Sequence, residues 1–201
     1  MPAPAAVAEE NGVRAALYAA LAHLFIASPT NELLRHVADA RLLLADDDSP
    51  LVAEWSKLRQ VARAADVAAV RGEFDEVFVG TGRPLVSLYA SSYMSGQQRG
   101  QLLAELREDL AQVGYQRAEE SSEYEDHLSA LCDVMRGLVT DEAESADGFD
   151  KQKLFFRNYL APWYGRVCET ICQTEQTVFY RSVAKFTNVF FTNEAEYFEL
   201  A

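Results

Sequence analysis

Basic residues are scarce in this chain. Eighteen Lys and Arg face 31 Asp and Glu, for a formal net charge of −13. That balance argues against a nucleic-acid backbone or an anionic membrane surface as partner and favours a cationic one, apart from what it does for solubility. Histidine is rarer, at three residues. None has a second histidine or cysteine at i+3 or i+4, which weighs against a metal-dependent or hydrolytic enzyme built on convergent ligands or bases. Cysteine is also limited to three, an odd number without a disulfide framework, as suits a reducing cytoplasm. Cys168 and Cys172 would share one helix face, but a zinc ion would need two further ligands that no nearby Cys-x-x-Cys or histidine pair supplies. Packing as small buried hydrophobes accounts for them better, and no metal or cofactor is expected.

Ten Gly and six Pro exclude low-complexity tracts, and no repeat recurs at solenoid spacing. The length of 201 residues suits one domain with a substantial core. No membrane-spanning run is read. Arg14 followed by the stretch Ala15 to Ala27 superficially resembles a signal peptide. The acids Glu9 and Glu10 before it and His23 within it argue against that reading. Residues 1–11 are expected to form a mobile tail and residues 12–201 a single helical domain.

Helical periodicity runs through most of the chain. Val13, Leu17, Leu21 and Leu24 form one stripe, and Leu102, Leu103, Leu106, Leu110 and Val113 another, with Gly114 as its C-cap. Ser28-Pro29 and Ser49-Pro50 each pair a capping hydroxyl with a proline suited to the first helical position, and so are expected to start the second and third helices. Residues 66–77 continue as helix. Residues 141–150, acidic and without a stripe, read as an exposed loop. Leu154, Phe155 and Tyr159 lead to a proline bend at Pro162; Trp163, Val167 and Ile171 continue one face; Phe179, Val183, Phe186 and Phe190 build the last helix. Trp163 and Phe179 are assigned to packing. The fold class is all-α, a single-domain bundle.

One long segment breaks this pattern. Within Phe74 to Met94, Gly80, Gly82 and Pro84 stop a helix while Phe74, Phe78, Leu85, Leu88, Tyr89 and Tyr93 stay apolar. Such a loop is either tucked into the core or lines a groove awaiting a partner. Gly80-Thr81-Gly82-Arg83 lacks the Walker pattern and the third glycine of a dinucleotide fingerprint, so the glycines read as a hinge rather than a phosphate cradle.

Asp126-His127 is the other notable pair. Ser122-x-x-Glu125 resembles a capping box, which predicts a helix from about residue 123 with Tyr124, Leu128, Leu131, Met135 and Leu138 as its stripe. At about 100° per residue, His127 then lies about 60° from the stripe's centre and Asp126 nearly opposite it. The two do not point in one direction, which weighs against a catalytic dyad. That geometry suits a boundary histidine reaching to the neighbouring loop and an acid facing solvent or a cationic ligand, or else a capping or interhelical hydrogen bond.

Four motifs in order carry a resemblance. Glu73-Phe74-Asp75-Glu76-Val77-Phe78-Val79-Gly80-Thr81-Gly82, the Glu125-Asp126-His127-Leu128 segment, Leu160-Ala161-Pro162-Trp163 and Phe179-Tyr180-Arg181-Ser182-Val183-Ala184 resemble, at family-like spacing, the signatures of the TorD/DmsD/NarJ redox-enzyme maturation chaperones. The likeness runs from about residue 13 to the end. It implies a non-enzymatic cytoplasmic chaperone without a cofactor of its own. Such a chaperone binds the catalytic subunit of a molybdenum or tungsten oxidoreductase, often at a twin-arginine signal peptide, until the pterin cofactor is inserted. It also implies a monomer or a dimer with exchanged helices, hinged near Gly80 and Gly82. Client-binding positions carried over are Phe74, Asp75, Glu76, Phe78, Pro84, Leu88, Tyr89, Tyr93, Asp126 and His127. After the glycine pair the chain departs from the best-known members, reading Pro84-Leu85-Val86-Ser87-Leu88-Tyr89, which leaves the client open. Leu88-Tyr89 with Tyr93 resembles the branch often associated with formate dehydrogenases. The alternative from another class is a helical sensor whose aromatic groove holds a small apolar ligand.

Overall fold

The computed structural model describes residues 4–40, 49–115, 124–141 and 147–200. Among them are nine α-helices: α1 (Pro4–Ile26), α2 (Asn31–Asp39), α3 (Pro50–Ala64), α4 (Val67–Phe74), α5 (Gly96–Gln112), α6 (Leu128–Asp141), α7 (Gly148–Tyr159), α8 (Tyr164–Gln173) and α9 (Phe179–Leu200). A π-turn over Asp75–Val79 and a 3-10 turn over Ala90–Tyr93 interrupt them. No strand occurs among the described residues, only one isolated bridge. The chain is all-α.

Local signals set several of these ends. Ser49 accepts a hydrogen bond from the Val52 N–H and Pro50 opens α3, as the Ser-Pro pair predicts. The second helix differs: it starts at Asn31, and its cap is Thr30, whose hydroxyl accepts from the Leu33 N–H, because Ser28 and Pro29 belong to the α1–α2 turn. Gly114, at φ +81°, closes α5: its N–H reaches Ala111 and that of Tyr115 reaches the Leu110 carbonyl. That is the Schellman pattern, which needs a left-handed residue at this point. α1 extends back to Pro4, so residues 4–11, expected in a tail, are helical. Of the expected loop 141–150, Asp141 ends α6 and Gly148 opens α7, while 142–146 lie outside the described residues.

α9 is the central post. It buries Phe179, Val183, Phe186 and Phe190, the predicted stripe, and also Tyr180, Ala184, Thr187 and Phe191. A helix apolar on more than one side must be surrounded, and α3, α8, α4 and α7 all pack on it. α1 lies along α6, and α2 rests on α3. The helices meet through aromatic rings, including Tyr18 edge-on to Phe190 at 4.9 Å and Trp55 against Phe186 at 4.8 Å. Cys132 and Cys168 are buried in this core and Cys172 is half-buried; burial raises all three thiols above their usual range, so they are poor nucleophiles.

A buried ionic network fastens the two ends of the chain. Arg14 on α1 forms a two-pronged pair with Glu194 on α9, at 2.7 and 2.8 Å, and donates to Gln152 on α7 at 2.9 Å. The Tyr18 hydroxyl donates to the same carboxylate at 2.9 Å, and the guanidinium sits over the Tyr197 ring at 4.5 Å. Burial alone would lower the Arg14 pKa, but the hydrogen bond and charge of Glu194 more than reverse it and hold the cation. Burial and the Glu194 charge also push the Tyr18 phenol well up.

Candidate functional site

The residues singled out in the sequence fall into two neighbouring groups on the segment that leaves α4. The first surrounds the π-turn. Phe74 is buried and Phe78 half-buried, and their rings pack on each other at 5.3 Å and on Tyr180 of α9 at 5.7 and 4.9 Å. Phe25 from α1 joins at 6.2 Å from Phe78. Both aromatics therefore anchor the turn to the core, Phe74 wholly and Phe78 in part. Asp75 and Glu76 lie exposed between them, and Asp75 accepts a 2.6 Å hydrogen bond from the Ser28 hydroxyl in the α1–α2 turn. Beside this cluster several apolar side chains remain in solvent: Val79 at 56%, Leu85 at 52% and Val178 at 74% exposure.

Gly80 ends the π-turn for steric reasons. Its φ of +64° with ψ of 167° lies in a region nearly reserved for glycine, and a Cβ there would sit 2.8 Å from the Arg83 carbonyl oxygen. The chain can thus double back so that half-buried Pro84 lies over Gly80 and the Val86 N–H bonds the Val77 carbonyl at 3.0 Å.

The second group is a cross-link between the loop and the start of α6. Leu128 donates to the Leu88 carbonyl at 2.8 Å and Ala90 to the Asp126 carbonyl at 3.0 Å, leaving Tyr89 opposite His127 in an antiparallel bridge. Their rings meet edge-to-face at 4.9 Å, with Tyr124 6.4 Å from Tyr89. Tyr93 stacks on Trp163 at 5.3 Å and donates to the Ser87 carbonyl, while Arg166 covers its ring and donates to its carbonyl. Burial pushes its phenol up to about 12.

Two expectations are corrected here. α6 begins at Leu128, not near 123, because residues 126–128 are taken up by the bridge to Leu88–Ala90; Tyr124 consequently stands 55% exposed rather than on a buried stripe, and Ser122 lies outside the described residues. Asp126 does not face solvent. At 1% exposure it points into the loop, where Oδ2 accepts from the Ser91 N–H at 2.9 Å and caps the 3-10 turn. His127 is buried as well. Its Nδ1 accepts from the Ser129 N–H at 3.3 Å and meets the Ser129 hydroxyl at 2.7 Å, so it caps α6. Asp126 and His127 thus hold different partners and do not form a dyad. Among the described residues no group of three or more His, Cys, Asp or Glu is placed to hold a metal, and no helix is long and apolar enough to cross a membrane.

Glu73, which opens the first motif, has a role that periodicity does not reveal. Its two carboxylate oxygens accept from the Phe179 and Tyr180 N–H groups at 3.0 and 2.7 Å, capping α9 from 106 residues away. The clue in sequence is negative, since no Ser, Thr, Asp or Asn immediately precedes Phe179 to cap it locally. Glu73→Ala would leave both part-buried donors without an acceptor, and is expected to cost about 1–3 kcal/mol in urea unfolding, with Glu73→Gln nearer wild type.

Residues 44–169 match the nitrate reductase delta subunit family, well over half of the chain. A curated relative, "Chaperone protein TorD" of Vibrio parahaemolyticus, is 28% identical over 133 residues, which is 62% of each chain. The protein belongs to the nitrate reductase delta subunit family, the TorD/NarJ-like group that its motifs resemble. The matched part spans about 62% of that relative's length.

Proposed function

We propose that this protein is a dedicated maturation chaperone. It binds an N-terminal segment of the catalytic subunit of a molybdenum or tungsten oxidoreductase in the cytoplasm and holds it until the pterin cofactor is in place. It does so without catalysis and without a cofactor of its own. The observation that carries this reading is the exposed pair Asp75–Glu76 followed by exposed Val79, with exposed Leu85 and Val178 each next in sequence to a residue hydrogen-bonded to this region, on a chain of net charge −13. Carboxylates beside uncovered apolar side chains suit a segment whose arginines precede an apolar run: charge speeds and orients the encounter, and apolar burial supplies affinity.

In this reading Asp75, Glu76, Phe78, Pro84 and Tyr89 meet the client directly, being exposed or half-buried. Phe74, Leu88, Asp126 and His127, being buried, hold the surface in shape, and Tyr93 locks the loop to α8. The client we favour is a formate dehydrogenase, and the Gly80–Gly82 turn is the place where helices would exchange in a dimer. Removing the gene from the native organism is expected to lower formate-dependent dye reduction, and the molybdenum or tungsten bound to that enzyme, at unchanged transcript level. Full activity in the deletion would oppose this client.

A further inference from the structure

Between α1 and α2 runs an apolar groove of about 690 Å³ that is lined by no residue of the four motifs. Its floor is Leu17, Ala20, Leu33, Val37 and Trp55, and no Lys or Arg is among its lining residues. It is an open trough: Ala16, His23, Ala27 and Glu32 along it are exposed, and Ile26 is 44% exposed. Its lining is predominantly apolar and is shared by α1, α2 and Trp55 of α3. A small ligand lying in it would stay largely in water, whereas binding pockets bury most of their ligands. A polypeptide could cover its length.

The groove joins the first site group at one end. Ser28 lines it and donates to Asp75, while Phe25, next to the lining residue Ile26, packs on Phe78. That end therefore carries Glu32, Asp75 and Glu76, and the remainder is lined by apolar side chains with His23 and His36 at its edges. We infer that the α1–α2 groove is the seat of the apolar run of the client segment, whose preceding cationic residues lie against Asp75, Glu76 and Glu32. This rests on the chaperone reading and adds to it a second, separate surface and a direction: cationic end at the α1–α2 turn, apolar run along α1 and α2. Three exposed carboxylates at the α1–α2 end, with no Lys or Arg lining the groove, favour a segment that carries its positive charge at that end.

The test uses the full chain and a synthetic peptide of two arginines followed by a ten-residue Leu/Ala/Val run, with benzoylphenylalanine at the centre of the run. Photo-cross-links are expected within residues 16–37. Ala16→Trp and Ile26→Asp, both at exposed positions, should each weaken peptide binding tenfold or more while far-UV circular dichroism and melting temperature stay near wild type. Replacing the two arginines with glutamine should weaken binding at low salt and much less at high salt. Cross-links confined to residues 75–93 or 124–128, with both groove variants binding normally, would overturn the inference and leave the chaperone reading in place. Absence of binding to wild type, together with capture of a small apolar molecule by the groove, would overturn both. Cross-links lost because the chain pairs through this groove with a second copy, seen as a dimer that Ala16→Trp dissolves, would also overturn it.

Discussion

Arg14→Met is expected to lower the unfolding free energy by about 3–5 kcal/mol, because it strands the Glu194 carboxylate, buried at 3% exposure, without its counter-charge. A typical domain has only about 5–15 kcal/mol in total, so the variant should unfold at far lower urea or precipitate. Glu194→Met should be comparably harmful, leaving the guanidinium unpaired between α1 and α9. The double variant Arg14→Met/Glu194→Met removes both charges and is expected to recover much of the loss, since apolar replacements of a buried ion pair are often neutral. Gln152 and the Tyr18 hydroxyl would still lose partners, so recovery should fall short of wild type. Urea titrations of the four proteins read the coupling directly; simple additivity of the two losses would contradict a paired network. The same network implies that truncating the chain before Glu194 destabilises α1 as well as α9.

Reversing the charge of the exposed acids is the second large effect. Asp75→Lys/Glu76→Lys is expected to weaken client binding by tenfold or more, about 1.4 kcal/mol or above, chiefly through a slower association rate that becomes less distinguishable from wild type as salt is raised. Stability should change little, since both side chains are exposed and only the Ser28 hydrogen bond is lost. Stopped-flow association at two ionic strengths separates these effects. An unchanged association rate at low salt would place the cationic part of the client elsewhere.

What the sequence disclosed was mostly local. The Ser49-Pro50 start of α3, the glycine end of α5 and the inner face of α9 follow from capping chemistry and 3.6-residue spacing, which a linear chain displays openly. The start of α6 was hidden because its competitor is distant: the bridge between Leu88–Ala90 and Asp126–Leu128 takes up backbone groups that a capping box would otherwise have served. For the same reason Asp126 reads as a surface acid on a helical wheel but is a buried cap. Arg14 with Glu194, 180 positions apart, and Glu73 with the α9 N-terminus join residues that no periodicity relates. The groove between α1 and α2 was equally illegible, since small residues such as Ala16 and Ala20 fit a packed interface as well as an open trough.

Within the candidate site the division between contact and support is physical rather than positional. Phe74 and Phe78 stand four apart, yet one is buried and the other half-exposed. Asp75 and Asp126 are both acids of the motifs, yet one is in solvent and the other holds the Ser91 N–H. Substitutions at the buried members should therefore report first on loop order, and those at Asp75, Glu76 and Tyr89 on binding.

The most direct measurement is affinity capture from a lysate of the native cells with the tagged wild-type chain, compared with Asp75→Lys/Glu76→Lys and Tyr89→Ala. The account predicts recovery of one molybdenum or tungsten oxidoreductase catalytic subunit by wild type, in its cofactor-free form, and much less by either variant. Failure of the wild-type chain to retain any such subunit, in cells where both are expressed, would contradict it.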